Sequence, residues 1–387
     1  MKNQLSLLLL LIFLAISCSQ KEESLSEKPL SEQQFEFEIY DSLVVDYLGN
    51  LTLMDQSPDG KHFLLIDQNT DSILVTDPSG KTIYSYKITG EGPEKMEGNR
   101  TGVAKFLDNS TFLIPSSRAL YQYSLAGELI KSFPPDFEGM SQLVIPSSTS
   151  HTRMGDQVIT LMKGRYDKLG SSGLEYQAQS RQLEIFDFQT GDFSPIVPFP
   201  KESKFSSSTL EFGLIDHYPA FTVRDDSLYL IFRNEPKLFI YSKDQWDTPA
   251  SIKPIPLPKF IEREISQKDA EGFNVRDFFY GSIGGIWALE NQNFLISYLS
   301  GLTNEESDEA IAAAGSDFNK IFEEGEKKNS GGYVLFNGNQ VSPVIIKSEQ
   351  LGNINSIYSQ EEIWFSPDFE KVENDYSVIY KTRLISR

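Results

Sequence analysis

The sequence predicts an all-β protein built as a six-bladed β-propeller, and three observations lead to this prediction. Val, Ile, Tyr, Phe and Thr recur in short runs, whereas segments with helical periodicity are scarce. Residues 51–88 contain four such runs separated by three turns, which describes one antiparallel sheet of four strands. One sheet of this size cannot bury both of its faces, and similar units recur along the chain, so a closed ring of sheets is expected. A seven-bladed ring and a pair of stacked sheets are the alternatives.

The turns of the first unit carry residues that favour tight hairpins. Residues 57–61 read SPDGK, and residues 77–81 read DPSGK. Proline fixes φ at the second position of such a turn, and glycine accepts a positive φ at its end. We therefore expect each turn to join two neighbouring antiparallel strands.

Five further units follow the first. The chain before residue 51 supplies one more strand, at 35–40 or 42–48, which we expect to complete the last unit and close the ring. The predicted strands of the second to sixth units are 102–106, 111–115, 119–124 and 128–133; then 142–145, 157–162, 182–188 and 193–197; then 220–223, 227–232, 237–242 and 251–255; then 285–289, 294–299, 332–336 and 341–346; and finally 353–357, 362–365 and 377–385.

The amino-acid composition and net charge limit the kinds of partner that the chain can bind. The chain has 387 residues, 39% of them hydrophobic, which is enough for a large core. Its 35 basic and 55 acidic residues give a net charge of −20, and without the first 17 residues, which hold one Lys and no acid, 34 − 55 gives −21. Such a surface repels phosphate backbones and anionic lipid, so we expect no nucleic-acid partner.

Residues 1–17 are typical of a secretory signal segment. Lys2 precedes an apolar stretch at 5–16, which is shorter than the ~20 residues that span a bilayer. Residues 15–18 read AISC and end on Cys18, the only cysteine of the chain. They resemble the lipobox of bacterial lipoproteins, although Ile occupies a position where a smaller residue is commoner. The resemblance implies cleavage before Cys18 and attachment of long-chain acyl groups such as palmitate to it; an ordinary cleaved signal is the alternative.

Residues 18–34 are polar and predict a flexible tether between this anchor and a propeller domain at 35–387. Residues 20–23, which read QKEE, are similar to the short export signal of lipoproteins in Bacteroidota. This resemblance implies a lipid anchor in the outer membrane with the domain exposed at the cell surface. An anchor that faces the periplasm is the alternative.

Two stretches carry a resemblance to a propeller family. Residues 57–66, SPDGKHFLLI, resemble the repeat of TolB-like propellers. Residues 87–94, KITGEGPE, resemble a glycine-proline stretch of six-bladed propeller lipoproteins of Bacteroidota. The resemblance implies a fold and a cell-envelope address, but no reaction.

The lengths of the predicted connections differ between the two rims of the ring. Connections between the first and second and between the third and fourth strands of a unit share one rim, and nearly all of them are tight turns; 146–156 and 243–250 are the exceptions. The other rim carries 89–101, 163–181, 198–219, 256–284 and 300–331. Long loops on a rigid scaffold usually carry function, so we expect the ligand there.

Short helical insertions are predicted on the long-loop rim. Thr303 and Glu306 form a capping-box pattern before an alanine-rich run, and a second helix is expected at 317–324. Residues 259–268 show the same periodicity. We expect the apolar stripe of the second helix to pack against the rim.

The sequence lacks the usual catalytic and metal motifs. It contains no GxSxG elbow, no HExxH and no cysteine pair. We expect His62 in a strand, His151 in an exposed turn and His217 in a loop of the long-loop rim, which is no metal triad. We therefore predict neither a metal nor a cofactor.

These features favour a lipid-anchored binding or scaffold protein for a peptide, a protein or a glycan. Aromatic faces stack on sugars or apolar side chains, and arginine offers planar donors to carboxylates. A hydrolase or lyase with a pocket at the central channel is the alternative. Phe278, Phe279 and Tyr280 are further candidates for ligand contacts, but packing between blades is the role that the sequence favours for them. The candidate binding residues are Arg153, which falls on the opposite rim, with Arg165, Tyr166, Tyr176, His217, Tyr218 and Arg276.

Overall fold

The computed structural model describes residues 29–138, 149–170, 172–263, 274–372 and 375–387, and these form six small antiparallel sheets arranged as a six-bladed β-propeller. The predicted fold class is confirmed, and the seven-bladed alternative is not what the chain adopts. Each sheet is one blade, and its strands follow one another from the centre of the ring outwards.

The first three blades have four strands each. Blade 1 contains β2 (Leu51–Gln56), β3 (Phe63–Asp67), β4 (Ser72–Thr76) and β5 (Thr82–Lys87). Blade 2 contains β6 (Lys105–Phe106), β7 (Thr111–Pro115), β8 (Leu120–Ser124) and β9 (Leu129–Phe133). Blade 3 contains β10 (His151–Met154), β11 (Gln157–Thr160), β12 (Arg181–Asp187) and β13 (Phe193–Pro198).

The last three blades differ more from one another. Blade 4 contains β14 (Pro219–Arg224), β15 (Ser227–Phe232), β16 (Glu235–Ser242) and β17 (Ser251–Pro254). Blade 5 contains β18 (Ser282–Ala288), β19 (Phe294–Leu299) and β20 (Gly331–Phe336). Blade 6 contains β21 (Leu351–Ser359), β22 (Glu362–Pro367), β23 (Ser377–Ser386) and, on its outer edge, β1 (Phe35–Val45).

The N-terminal strand closes the ring. β1 pairs antiparallel with β23, from Phe35 opposite Ser386 to Val45 opposite Ser377, with one irregularity after Ile39. Both candidate segments of the sequence prediction, 35–40 and 42–48, therefore contribute to a single strand. The first and last parts of the propeller are held in the same blade.

An apolar cluster fills each interface between neighbouring blades. β3 illustrates how the sequence supplies two of them, because side chains alternate across a sheet. Leu64 and Ile66 join the cluster shared with blade 2, whereas Phe63 and Leu65 join the cluster shared with blade 6. This is why the middle strands read as nearly continuous apolar runs.

The turn after β4 needs glycine for two reasons. Gly80 has a φ of +83°, and a Cβ atom there would lie 1.8 Å from the carbonyl oxygen of Val44 in β1. The Asp77 carboxylate accepts hydrogen bonds from the backbone N–H groups of Ser79, at 2.9 Å, and Lys81, at 3.1 Å. The turn thus packs directly against the strand that closes the ring.

Two predicted strands differ from the structure. The innermost strand of blade 3 is β10, which lies inside the segment 146–156 that the sequence prediction treated as a connection; the predicted strand 142–145 lies outside the described residues. The predicted strand 341–346 is reduced to two isolated bridges at Val341 and Ile345. Pro343, between them, has no backbone N–H to donate to the ladder.

The described part of the chain contains three α-helices, α1 (Leu174–Gln179), α2 (Asn304–Ala314) and α3 (Phe318–Lys328). Thr303 and Glu306 form the predicted capping box, and Asp317 caps α3. α1 was not predicted. The helix predicted at 259–268 is wrong for its described part, because residues 260–263 are not helical and Lys259 has a φ of +55°. Among the described residues, no helix is long and apolar enough to cross a bilayer.

Candidate functional site

The strand order places the long connections on one rim of the ring. The segments between β5 and β6, β11 and β12, β13 and β14, β17 and β18, and β19 and β20 all belong to it. We call this the long-loop rim and the opposite side the tight-turn rim. Around blade 5, the long-loop rim is covered by α2 and α3, where Phe279 packs against Ile321 and Phe322. Gly325 of α3 lies so close to Phe279 that a Cβ would be 2.5 Å from its ring.

The long-loop rim is open around blades 1 and 6. A pocket of about 720 Å³ lies at the mouth of the central channel, and a pocket of about 530 Å³ lies beside it. Pro367, Phe369 and Glu370 line both pockets, so the two form one groove. We call these two connected pockets the rim groove.

Exposed apolar side chains line the rim groove. Leu48 is 83% exposed, Tyr376 46% and Phe369 42%. Large apolar side chains at this level of exposure are ordinary when they are scattered, but these three line one concave surface. The rim groove therefore has a surface that could take up an apolar part of a ligand.

Two cationic side chains lie at the channel end of the rim groove. Arg100 donates to the carbonyl oxygen of Gly102 and to Oε1 of Gln68, both at 3.1 Å. Lys347 donates to the carbonyl oxygen of Gly352 at 2.7 Å. Burial lowers the pKa of both the Arg100 guanidinium and the Lys347 amine. Partly desolvated cations held in this way interact more strongly with an anionic group than solvated surface lysines do.

The centre of the ring contains a second, smaller cavity of about 270 Å³. Residues of all six innermost strands line it, among them Asp55, Lys105, His151, Thr222, Trp287 and Ile354. We call it the channel cavity. Val103, Ile354 and Asn355 line both the channel cavity and the 720 Å³ pocket, so the channel cavity lies beneath the rim groove.

The carboxylate of Asp55 is held by three donors. Its Oδ2 accepts from the backbone N–H of Phe106 at 2.8 Å, and its Oδ1 accepts from the Tyr358 hydroxyl at 2.9 Å. Lys105 Nζ lies 3.4 Å from the same Oδ1 and 3.3 Å from the carbonyl oxygen of Met54. This network joins blades 1, 2 and 6 at the channel wall.

His151 lies in β10 and is only 2% exposed, so its expected position in an exposed turn is wrong. Its Nδ1 lies 3.2 Å from the hydroxyl of Ser150. Burial, with a smaller contribution from the positive charge of Lys105, lowers the pKa of His151 to about 3. The imidazole is therefore neutral near pH 7. His62, expected in a strand, directly precedes β3.

Four of the predicted binding residues, Tyr166, Tyr176, His217 and Tyr218, lie between blades 3 and 4, and Arg165 lies between blades 2 and 3. Tyr176 of α1 stacks on His217 with ring centroids 5.5 Å apart, and both are buried, as is Tyr218. Tyr166 packs at the edge of the same cluster. Arg165 makes a bidentate ion pair with Glu184, at 2.8 and 2.9 Å. Tyr176 of the 163–181 connection thus packs in the protein interior, and a ligand-binding role for these five remains a prediction.

The other two predicted residues are exposed but far apart in the topology. Arg153 is in β10 at the tight-turn end of the channel, which is the rim predicted for it from the sequence. It donates to the carbonyl oxygens of Gly155, at 2.8 Å, and Leu107, at 3.1 Å. Arg276 lies in a short 3₁₀ helix on the long-loop rim and pairs with Asp308 of α2. Their binding roles also remain predictions, and Cys18 lies outside the described residues.

The residues that line the rim groove were not among those predicted from the sequence. Phe369 follows Pro367 and Asp368 in a polar turn between β22 and β23, and an aromatic residue in such a turn was the available signal. For the channel cavity the signal was a charged residue within an innermost strand, such as Asp55 or Lys105. Within the described chain, no group of three or more His, Cys, Asp or Glu side chains could hold a metal ion.

Two similar solved structures come from Bacteroides, and the likeness in fold rests on the first of them. A DUF4221-family protein from Bacteroides vulgatus has a TM-score of 0.61 at 10% sequence identity, covering 92% of this chain and 99% of that one. A Bacteroides fragilis protein described as exported has a TM-score of 0.47 at 11% identity, covering 92% and 96%. A scan against protein-family models finds no match, and a search of curated proteins finds no relative. At these identities the likeness concerns the fold alone, and the resemblance to the TolB-like family remains a prediction.

Proposed function

We propose that this chain is a binding propeller that holds a peptide segment of another protein in the rim groove. The proposal includes the class predicted from the sequence, a binding or scaffold protein in the cell envelope. A glycan in the same groove is the other ligand class, and the experiment below separates the two.

The shape and composition of the rim groove carry the proposal. Propeller rims present loops on a rigid ring, and ligand sites are concave, largely apolar and supplied with a few fixed polar groups. The rim groove offers Leu48, Phe369 and Tyr376 as apolar contacts, and Arg100 and Lys347 as fixed donors. A peptide supplies both apolar side chains and the carbonyl or carboxylate acceptors that these donors need.

The test is a capture experiment with the chain from residue 19 onward, run beside arrays of peptides and glycans. The double variant Phe369→Ser, Tyr376→Ser should lose at least tenfold in affinity, because it removes the aromatic contacts of the groove. The matched control is Ile83→Ser, Tyr84→Ser in β5, where the two side chains are 43% and 41% exposed on the outer edge of blade 1.

We expect the control to bind as the unmodified chain does. Equal losses in both double variants would contradict the proposal, since they would show that any exposed apolar pair matters. Signals on the glycan array alone would replace the peptide by a sugar ligand.

Anchoring through lipid on Cys18 is part of the proposal. β1 begins at Phe35 on the tight-turn rim, so a tether that reaches the membrane there would leave the rim groove facing away from the lipid surface. We expect a palmitate analogue to label the chain in its native host and the Cys18→Ser variant to remain unlabelled and leave the membrane fraction. A Cys18→Ser variant that still partitions with membranes would count against the anchor.

The alternative, a hydrolase or lyase at the central channel, has one supporting observation, the convergence of Asp55, His151 and Arg153 on the channel cavity. General acid–base chemistry would need one of these groups near the working pH. Mass spectrometry of the captured ligand distinguishes the two functions. An altered mass after incubation supports the enzyme, and an unchanged mass supports the binding protein.

A further inference from the structure

The channel cavity carries one positive charge more than it carries negative charges. Of the charged side chains that line it, Lys105 and Arg153 are cationic and Asp55 is anionic, so that 2 − 1 leaves +1. His151 adds no charge near pH 7, because burial keeps its pKa at about 3. This local excess is opposite in sign to the chain as a whole, which carries −20.

The acid of the cavity already accepts from three donors within the protein. Asp55 accepts from Phe106 N–H, from the Tyr358 hydroxyl and from Lys105 Nζ, and its side chain is largely buried. An ionised carboxylate has about four acceptor sites, so these three donors leave about one for a cation. Because the cavity also carries a net positive charge, it is poorly suited to a metal ion or an amine.

The two cations, in contrast, have donors left over. An ammonium has three N–H donors, and Lys105 Nζ has two protein acceptors, at 3.3 and 3.4 Å. A guanidinium has five N–H donors, and Arg153 uses Nε and one terminal nitrogen for the carbonyl oxygens of Gly155 and Leu107. At least one donor on Lys105 and several on Arg153 can bind an acceptor in the cavity.

Three apolar side chains also line the cavity, beside hydroxyl and amide side chains such as those of Thr222 and Asn355, and the space is small. Trp287, Ile354 and Ile357 line the cavity, which therefore suits the apolar body of an organic molecule. Its volume, about 270 Å³, lies just below the roughly 300–1,000 Å³ of pockets for drug-sized ligands. Shared lining residues connect it to the rim groove, which gives a small ligand a route of entry.

We propose that the channel cavity binds a small organic monocarboxylate, with Lys105 and Arg153 contacting the carboxylate and Trp287 lying against its apolar body. A single uncompensated positive charge matches a single carboxylate better than a phosphate with two charges. This site shares Val103, Ile354 and Asn355 with the rim groove but takes a different ligand, and it does not depend on the peptide-binding proposal.

The test uses the chain from residue 19 onward and isothermal titration calorimetry with benzoate. Benzamide, which has nearly the same shape without the charge, and inorganic phosphate are the comparison probes. We expect benzoate to bind at least tenfold more tightly than either. The Phe369→Ser, Tyr376→Ser variant should bind benzoate unchanged, so that failure of one site can be told from failure of the other.

Two variants locate the carboxylate. Lys105→Met should weaken benzoate binding at least tenfold, and so should Arg153→Gln, whose side chain is exposed at the end of the channel and outside the apolar clusters. Lys131→Met is the matched control, because Lys131 lies in β9 at the outer edge of the same blade as Lys105. Circular dichroism checks that each variant is folded.

Four results would overturn the proposal. The first is equal binding of benzamide and benzoate, and the second is tighter binding of phosphate than of benzoate. The third is unchanged affinity for benzoate in Lys105→Met and Arg153→Gln. The fourth is no heat of binding at about 10 mM benzoate, which would put the dissociation constant above that concentration.

Discussion

A buried neutral histidine couples the stability of the propeller to pH. His151 has a pKa of about 3 in the folded chain, against about 6.5 in an unfolded one. Between these values the unfolded chain binds a proton that the folded chain does not, so the free energy of unfolding falls as the pH falls. We expect the unmodified chain to lose about 2 kcal/mol more than His151→Gln between pH 7 and pH 5. Urea unfolding at the two pH values measures the difference, and parallel losses would contradict it.

A second prediction at the residue scale concerns the ion pair between Arg165 and Glu184. Burial raises the pKa of Glu184, and the bidentate guanidinium opposes that rise. Arg165→Met leaves a buried carboxylate without its partner, so we expect a loss of about 3–5 kcal/mol in the free energy of unfolding. Adding Glu184→Leu to this variant should recover much of the loss, because the carboxylate is then gone as well.

The control for this pair is an exposed one. Arg118 lies 3.1 Å from Glu138 with both side chains well exposed, so Arg118→Met should cost about 0–1 kcal/mol. Equal costs for Arg165→Met and Arg118→Met in urea unfolding would show that burial of the Glu184 carboxylate has no energetic effect.

At the scale of elements, the strand that closes the ring should dominate stability. Phe37 of β1 is buried against Phe365 and Tyr333, with ring centroids 5.0 and 5.3 Å away. Phe37→Ala should lower the free energy of unfolding by about 3–5 kcal/mol. Val44→Ala, in the exposed part of the same strand, should change it by about 0.5 kcal/mol or less. A small effect of Phe37→Ala would indicate that the ring stays closed without this contact.

Middle strands were the easiest elements to predict from the sequence, and innermost strands were the hardest. β15 and β19 pack on both faces, so their apolar runs gave bounds that agree with the structure. β10 turns part of its surface to the channel cavity, and its sequence HTRM has no apolar pattern to detect. Three of the four residues of β10 are polar or charged, which explains why a prediction based on apolar runs missed it.

The fold class of the whole molecule was predictable, but the position of the candidate site was not. Turn chemistry and the repeat of apolar runs led to the ring and to its long-loop rim. They could not predict that Tyr176 of the 163–181 connection is buried, because it packs against His217 and blade 4, far away in the sequence. They also could not predict that Leu48 and Phe369 line the same pocket, because this proximity arises only when blades 1 and 6 pack together.

The closure of the ring has a mechanical consequence. The hydrogen bonds between β1 and β23 lie across the strands, and β1 enters the ring at Phe35 beside Ser386. A pull transmitted through the residues that precede Phe35 acts along the strand axis, so the whole row of bonds shares the load and must yield together. If the protein is held by its N-terminal end against flowing medium, the force loads the β1–β23 pair in shear. Paired strands resist force best in this geometry.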